Sequence, residues 1–141
     1  MHLTQLPGSY AICRAAPDAP LPPGILDGPG FRTVSRTADE LSVVAPEADI
    51  AGMDKVGIDK VDTGWTAFKL HGPFAFDEVG IVAGLSAALA AHGIGIFVIS
   101  TFDTDYILVK AASAGAAATA WRAGGHQVDL DRVDLDRLDT A

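Results

Sequence analysis

Two pairs of short apolar runs, each pair joined by a polar turn, are the clearest pattern in the chain. Ile96–Ile99 and Tyr106–Val109 are rich in β-branched and aromatic residues and flank the polar stretch Ser100–Asp105. Phe31–Arg36 alternates apolar and polar residues, and Leu41–Ala45 is a second β-branched run. Runs of this composition that are separated by a few turn-forming residues are typical of hairpins. The pattern therefore predicts two β-hairpins, one in each half of the chain.

The rest of the first half is predicted to contain two more strands and a long loop. Ser9–Ala15 has the composition of a strand. Residues 16–30 are rich in proline and glycine and are predicted to form a loop, because proline cannot pair inside a sheet. The stretch from Pro46 to Lys60 has room for a short helix at most, and Trp65–Leu70 is predicted to begin a new strand.

Two helices are predicted in the second half. The first covers Val79–Ala91, where apolar residues recur at helical spacing, with Asp77 as its N-cap and Gly93 as the residue that ends it. The second is alanine-rich, covers Ala114–Ala123 and is ended by two glycines. A last strand is predicted to start near His126.

The second half thus has the order strand, helix, strand, strand, helix, strand, which is the ferredoxin-like βαββαβ module. The predicted fold class is α+β, with antiparallel sheets and helices on one face. In the first half, Val34–Val44 matches Ile99–Val109: an apolar residue and serine, a polar turn ending in an acid, then a strand. This match predicts a degenerate N-terminal module at 1–61, a complete one at 62–130 and an acidic tail at 131–141. The alternative is coincidence, since any two hairpins in an apolar chain can be aligned in this way.

Composition narrows the classes of function. With 141 residues, 49% of them hydrophobic, the chain is long enough to bury its own core. A net charge of -8 disfavours nucleic acid, because the phosphate backbone would be repelled. No apolar stretch is long enough to cross a bilayer, no secretory signal is recognisable, and the single cysteine, Cys13, cannot form an internal disulfide. We therefore expect a cytoplasmic protein that binds neither nucleic acid nor membranes.

Three segments carry a resemblance to a known family. They are T-x-D-E-L-S-V-V at Thr37–Val44, G-P-F-x-F-x-x-x-G-I at Gly72–Ile81 and I-S-T-F-x-T-D-Y-I-L-V at Ile99–Val109. Together they resemble the small tandem ACT-domain proteins, relatives of the cytosolic arginine sensor of the TORC1 pathway. The resemblance implies a non-catalytic regulatory protein in which two ACT-like modules hold a free amino acid, arginine or another, with no cofactor. It also implies a homodimer, because ACT-like sheets commonly join side by side.

The resemblance implies a ligand site that uses residues of both halves: Ser42, Val43, Glu78, Gly80, Ile81, Thr101 and Asp105. Elementary chemistry agrees with this set. The first N–H groups of the predicted helix suit a carboxylate, and Asp105 suits an ammonium group. Asp103 is added on the physical argument alone. Each residue also has an ordinary structural role open to it, since acids at helix starts are often caps and aspartates in turns often bond their own backbone.

Two other classes of function stay open. Asp103, Asp105 and Glu78 could bind Mg²⁺ or Ca²⁺ and support a metal-dependent enzyme. No phosphate-binding glycine loop accompanies them, however, and the four histidines show no metal-ligand spacing. The other alternative is a structural module that forms homo- or hetero-oligomers without a ligand. Stabilisation by an amino acid distinguishes a sensor from such a module.

Overall fold

The chain forms two compact units, seen in a computed structural model that describes residues 1–52, 57–72 and 79–131. One unit, here called the inserted unit, is continuous from Gly8 to Trp65. The other, here called the composite unit, combines Met1–Pro7 with the residues from Thr66 onward. The first residues of the chain therefore belong with its second half, whereas the sequence had predicted a division after residue 61. The predicted tail lies outside the described residues from position 132 onward.

The helices and strands follow the predicted pattern, with two exceptions. The strands are β1 (His2–Gln5), β2 (Tyr10–Ala15), β3 (Thr33–Arg36), β4 (Leu41–Pro46), β5 (Ile58–Leu70), β6 (Phe97–Ser100), β7 (Asp105–Lys110) and β8 (Gln127–Asp129). The helices are α1 (Glu47–Ala51), α2 (Ile81–Ala90) and α3 (Ala114–Ala123), the last preceded by a 3₁₀ turn at Ala111–Ser113. Both predicted hairpins and both long helices are confirmed. The exceptions are β1, which was not predicted, and β5, which begins at Ile58 rather than Trp65.

The strands of the inserted unit lie in the order β3-β4-β2-β5, and each neighbouring pair is antiparallel. Alternate residues of β2 and β4, such as Cys13 and Val43, point to one face and form its core. Ile50 of α1 and Ile25 of the loop between β2 and β3 pack against the same face. The proline-rich loop therefore covers a surface of the sheet that would otherwise need a helix.

A buried arginine fixes this loop. The side chain of Arg32 is 7% exposed and forms an ion pair with Asp49 of α1. Its guanidinium donates to the carbonyl oxygen of Pro29 at 2.9 and 3.1 Å and to that of Ile25 at 3.0 Å. Because a buried charge is costly unless it is paired and hydrogen-bonded, these partners hold the loop in one arrangement.

The strands of the composite unit lie in the order β6-β7-β5-β1-β8, and both long helices pack on one face of them. Leu85 and Leu89 of α2 and Trp121 of α3 share a core with Phe68 of β5. The Trp121 ring meets the Phe68 ring edge to face at 5.1 Å, and its Nε1 donates to the carbonyl oxygen of Leu85 at 3.1 Å. One aromatic side chain thus ties the two helices to each other and to the sheet.

Strand β1 changes the pairing of this sheet. It lies between β5 and β8, antiparallel to β5 with Leu3 opposite Leu70 and parallel to β8 with Leu3 opposite Val128. The predicted α+β class is confirmed, but the expectation of a purely antiparallel sheet is wrong at the β1–β8 pair. The reason is that β1, which comes from the start of the chain and is not part of the βαββαβ order, lies between β5 and β8.

Helix α2 ends as the sequence predicted. Gly93 has a φ of +68°, its N–H donates to Ala90 O at 3.0 Å, and the N–H of Ile94 donates to Leu89 O at 3.1 Å. These two bonds form a Schellman motif, in which glycine adopts the left-handed conformation without steric cost. The predicted N-cap, Asp77, lies outside the described residues.

Candidate functional site

Two threonines build the turn between β6 and β7. The N–H of Thr101 donates to Thr104 O at 2.8 Å, and its Oγ1 donates to the same oxygen at 3.1 Å. Thr104 is 8% exposed, and its Oγ1 donates to the carbonyl oxygen of Leu70, the last residue of β5, at 2.7 Å. A buried hydroxyl with a satisfied hydrogen bond is costly to displace. The turn is therefore held against the C-terminal end of β5.

Asp105 is the first residue of β7 and lies opposite Ser100, the last residue of β6. The Ser100 hydroxyl donates a hydrogen bond to Oδ1 of Asp105. The other carboxylate oxygen, Oδ2, has no hydrogen-bond partner among the residues that the structure describes. Asp105 is half-buried. A carboxylate held at one oxygen and open at the other is well suited to accept a hydrogen bond from a cationic group.

The start of α2 offers backbone donors. Gly80 precedes the helix with a φ of +80°, and Ile81 is the first helical residue. The first N–H groups of a helix have no acceptor within the helix, so an anionic group binds well there. Among the described residues, no heavy atom lies within 4 Å of a Cβ added at Gly80.

We expect these donors and the carboxylate to lie at the same end of the composite sheet, because only the short segment 91–96 joins the far end of α2 to the start of β6, and the hairpin turn follows the other end of β6. The hydrogen bond from Thr104 holds the hairpin turn at Leu70, and from Leu70 the chain runs on to α2. The connection includes residues 73–78, which lie outside the described part of the chain, and the predicted ligand residue Glu78 is among them. Asp103 lies at the exposed tip of the turn beside Phe102, which is 78% exposed.

Ser42 and Val43, the two predicted ligand residues of the inserted unit, lie on opposite faces of β4. Val43 is 3% exposed, its side chain is part of the core, and it is opposite Cys13 of β2. Ser42 is half-buried and lies between Arg14 of β2 and Ser35 of β3. The Ser42 hydroxyl is therefore on the face of this strand that the core does not use.

The turn between β3 and β4 repeats the hydrogen bonds of the turn between β6 and β7. The N–H of Thr37 donates to Glu40 O at 2.9 Å, and its Oγ1 donates to the same oxygen at 3.3 Å. The matching bonds equate Thr37 with Thr101, and hence Leu41 with Asp105. The alignment of the two hairpins made from sequence alone was therefore one residue out of register.

A second polar cluster, which sequence reasoning missed, lies on the face of the composite sheet away from the helices. The rings of His2 and His71 stack with centroids 3.8 Å apart and an interplanar angle of 8°. Nε2 of His2 lies 2.6 Å from Oδ2 of Asp129, and this hydrogen bond holds the pKa of Asp129 below its usual range. No local pattern in the sequence indicated the cluster, because it depends on the position of β1. Within the described residues, no group of three or more His, Cys, Asp or Glu side chains is arranged to hold a metal ion.

Two protein families match different parts of the chain, and these parts are similar to the inserted unit and the composite unit. The ACT domain matches residues 60–122, and the N-terminal domain of a second family matches residues 8–52. The second match falls entirely within the inserted unit. Among the described helices, none is long and apolar enough to cross a membrane.

Individual relatives agree with these family matches. A structural-genomics target protein from Agrobacterium tumefaciens, known from an X-ray crystal structure, is 41% identical with a TM-score of 0.81, and the match covers 93% of each chain. The cytosolic arginine sensor for mTORC1 subunit 1 from Homo sapiens is 42% identical over 53 residues. That match covers 37% of this chain and 16% of the sensor.

A more distant structure shares the fold. The ligand-free regulatory subunit of aspartate kinase from Thermus thermophilus is 14% identical with a TM-score of 0.56, covering 84% of this chain and 93% of its own. Its likeness to this chain agrees with the ferredoxin-like fold class that the sequence predicted.

Proposed function

The chain belongs to the small ACT-domain proteins, and we propose that it is a non-catalytic regulatory protein that binds a free amino acid. The observation that carries the proposal is the state of Asp105. Its carboxylate is fixed at Oδ1 by Ser100 and has no partner at Oδ2 among the described residues, in a hairpin turn that Thr104 holds at the C-terminal end of β5. The ACT-domain match includes both the hairpin and the helix.

An amino acid carries an anionic and a cationic group on the same carbon, and the composite unit offers a partner for each. In our proposal the ligand carboxylate accepts from the backbone N–H groups that follow Gly80, and the ligand ammonium donates to Asp105. Thr101 contributes by holding the turn, since its hydroxyl is bonded to Thr104. The remaining proposed contacts are Ile81 and Asp103 of the composite unit, together with Ser42, Val43 and Glu78.

We also propose that the inserted unit is a degenerate ACT-like module. In both units, the strand that precedes the hairpin pairs with the second strand of that hairpin: β2 with β4, and β5 with β7. In the inserted unit, the loop at residues 16–32 takes the place of the first helix, and the five residues of α1 take the place of the second. The repeated threonine turn supports a common origin of the two modules.

Arginine is the first ligand to test, because the Homo sapiens relative is an arginine sensor. The short match with that sensor leaves the other amino acids as candidates. We further propose a cytoplasmic location and a homodimer, as the family resemblance implies. Light scattering with and without the ligand measures the oligomeric state directly.

The test of the proposed function is thermal unfolding of the dialysed full-length protein with each of the twenty amino acids at about 5 mM, followed by calorimetric titration of any that stabilises it. We expect one amino acid, or a small chemically related group, to raise the unfolding temperature, because a ligand that binds only the folded state stabilises that state. Stabilisation by none of them would contradict the proposal and favour the oligomeric structural module.

A pair of matched variants locates the site. Asp105→Asn removes the charge but keeps an oxygen for the Ser100 hydroxyl, and it should weaken binding by at least about 10-fold. Asp39→Asn makes the same charge change in the turn of the other hairpin, where the side chain is exposed, and should leave the affinity unchanged. Equal affinities for the two variants would remove Asp105 from the site.

A further inference from the structure

We propose that Ser100 is a positioning residue for the amino-acid site: it holds the Asp105 carboxylate in the orientation in which Oδ2 receives the ligand ammonium group. The inference rests on the proposed function and adds to it a residue that neither the family resemblance nor the sequence pattern identified. Ser100 itself is exposed, and we do not place it in contact with the ligand.

The geometry supports this role. Ser100 and Asp105 are directly opposite each other in the ladder between β6 and β7, so the strand pairing fixes the distance between their backbones. The terminal torsion of an aspartate is broad, and a free carboxylate therefore samples many orientations. The hydrogen bond from the Ser100 hydroxyl to Oδ1 removes this freedom before a ligand arrives. A receptor group that is oriented in advance loses less entropy on binding.

The turn itself does not need the serine. Its hydrogen bonds are made by Thr101 and Thr104, which bond each other and the end of β5. The inserted unit provides a natural comparison, because its turn makes the same two threonine bonds with Arg36 and Leu41 at the positions of Ser100 and Asp105. A hairpin of this shape therefore forms without a serine–aspartate pair. We therefore infer that the pair in the composite unit serves something other than the turn.

The comparison also indicates what the pair serves. Of the two described hairpins, the one in the composite unit has a carboxylate at the first position of its second strand, and the other has the apolar side chain of Leu41 there. Leu41 is 1% exposed and belongs to the core, whereas Asp105 is half-buried. The same backbone position thus holds a core side chain in one hairpin and, in the other, a half-buried carboxylate that we propose as the acceptor for a cation.

The experiment is a double-mutant cycle on the full-length protein. The affinity of each variant is measured by calorimetric titration, and the ligands are the amino acids that stabilise the wild type. Ser100→Ala should weaken binding by about 3- to 10-fold, the effect of one lost hydrogen bond to a charged group. Ser100→Thr keeps a hydroxyl in a side chain that strands favour, and it should restore the affinity to within about 2-fold of wild type.

If Ser100 acts only through Asp105, then Ser100→Ala should have no further effect in the Asp105→Asn background. Thr119→Ala is the matched control, because it removes an exposed hydroxyl of the same unit that bonds only to its own helix, at Gly115 O. Without ligand, Ser100→Ala should unfold within about 2 °C of wild type, as exposed substitutions usually do.

The outcomes separate the two claims. If no amino acid binds the wild type, the proposed function fails and this inference fails with it. If the wild type binds and Asp105→Asn weakens it, the proposed function stands. In that case three results would overturn the role of Ser100: an unchanged affinity for Ser100→Ala, an effect that adds fully to that of Asp105→Asn, or a loss that Ser100→Thr does not restore.

Discussion

Arg32 shows how one residue can do the structural work of a missing helix. The loop between β2 and β3 contains no helix, and the guanidinium supplies donors for two of its carbonyl groups, at Ile25 and Pro29. The ion pair with Asp49 connects the loop to α1. Because the arginine side chain is buried and one planar group makes all these bonds, replacing it would remove every one of them from the loop together.

We predict that Arg32→Met lowers the free energy of unfolding by about 2–3 kcal/mol, since the carbonyl oxygens of Ile25 and Pro29 and the carboxylate of Asp49 all lose a charged donor. Arg14→Met is the matched control: the Arg14–Asp59 pair has side chains that are 38% and 50% exposed, and its loss should cost less than about 1 kcal/mol. Urea denaturation of the two variants measures both values. Equal losses would mean that the loop is held by its prolines and apolar contacts and not by the arginine.

At the scale of the element, helix α2 has one glycine in its interior, and a second glycine lies just beyond its C-terminal end. Gly84 lies inside the helix, whereas Gly93 terminates it with a φ of +68°. Among the described residues, an added Cβ would meet no heavy atom within 4 Å at either position, so a steric clash of the new methyl group is not a factor. The two positions therefore isolate the effect of backbone conformation on stability.

Gly84→Ala should raise the free energy of unfolding by about 0.5–1 kcal/mol, because alanine has the higher helix propensity. Gly93→Ala should lower it by about 1 kcal/mol, because an L-residue is strained at this backbone conformation. Chemical denaturation of the two variants and the wild type measures both changes in the free energy of unfolding. Effects of the same sign would show that the Schellman motif does not hold the end of α2.

The elements that the sequence predicted best are those whose signal is local. The stop at Gly93, the limits of α3 and the two hairpins all follow from residues close together in the chain. For the candidate site, Asp105 and Thr101 stay predictions that rest on the hairpin loop and the family resemblance, whereas the bond from Thr104 to Leu70 was not predicted, because it joins residues 34 positions apart. The pairing of Ser100 with Asp105 depends on the register between β6 and β7, which was not predicted from the sequence.

At the scale of the whole molecule, the chain leaves the composite unit after Pro7 and returns to it at Thr66. β1 is four residues long and has only two buried positions, Leu3 and Gln5, which is too short a pattern to identify a strand. Its hydrogen-bonded partners are distant in sequence, so the unit as a whole could not be predicted from local patterns. The stacked histidines were missed for the same reason.

The points at which the chain leaves and re-enters the composite unit are adjacent in the sheet of that unit. Gln5 is opposite Phe68, and the N–H of Leu6 donates to Ala67 O at 2.8 Å. β1 and the last residues of β5 therefore have the geometry of a hairpin whose turn has been replaced by the inserted unit. A unit that enters and leaves at adjacent points can be removed without displacing its host.

We predict that replacing Gly8–Trp65 by an Asn-Gly turn gives a smaller protein that folds cooperatively, because such a turn suits a two-residue hairpin connection. The matched control begins at Thr66 and lacks β1, which leaves β5 and β8 without their common partner. We expect the control to lose the cooperative thermal transition that circular dichroism detects in the fused protein. Cooperative unfolding of both would show that β1 is dispensable, whereas failure of both would show that the composite unit folds only with the inserted unit present.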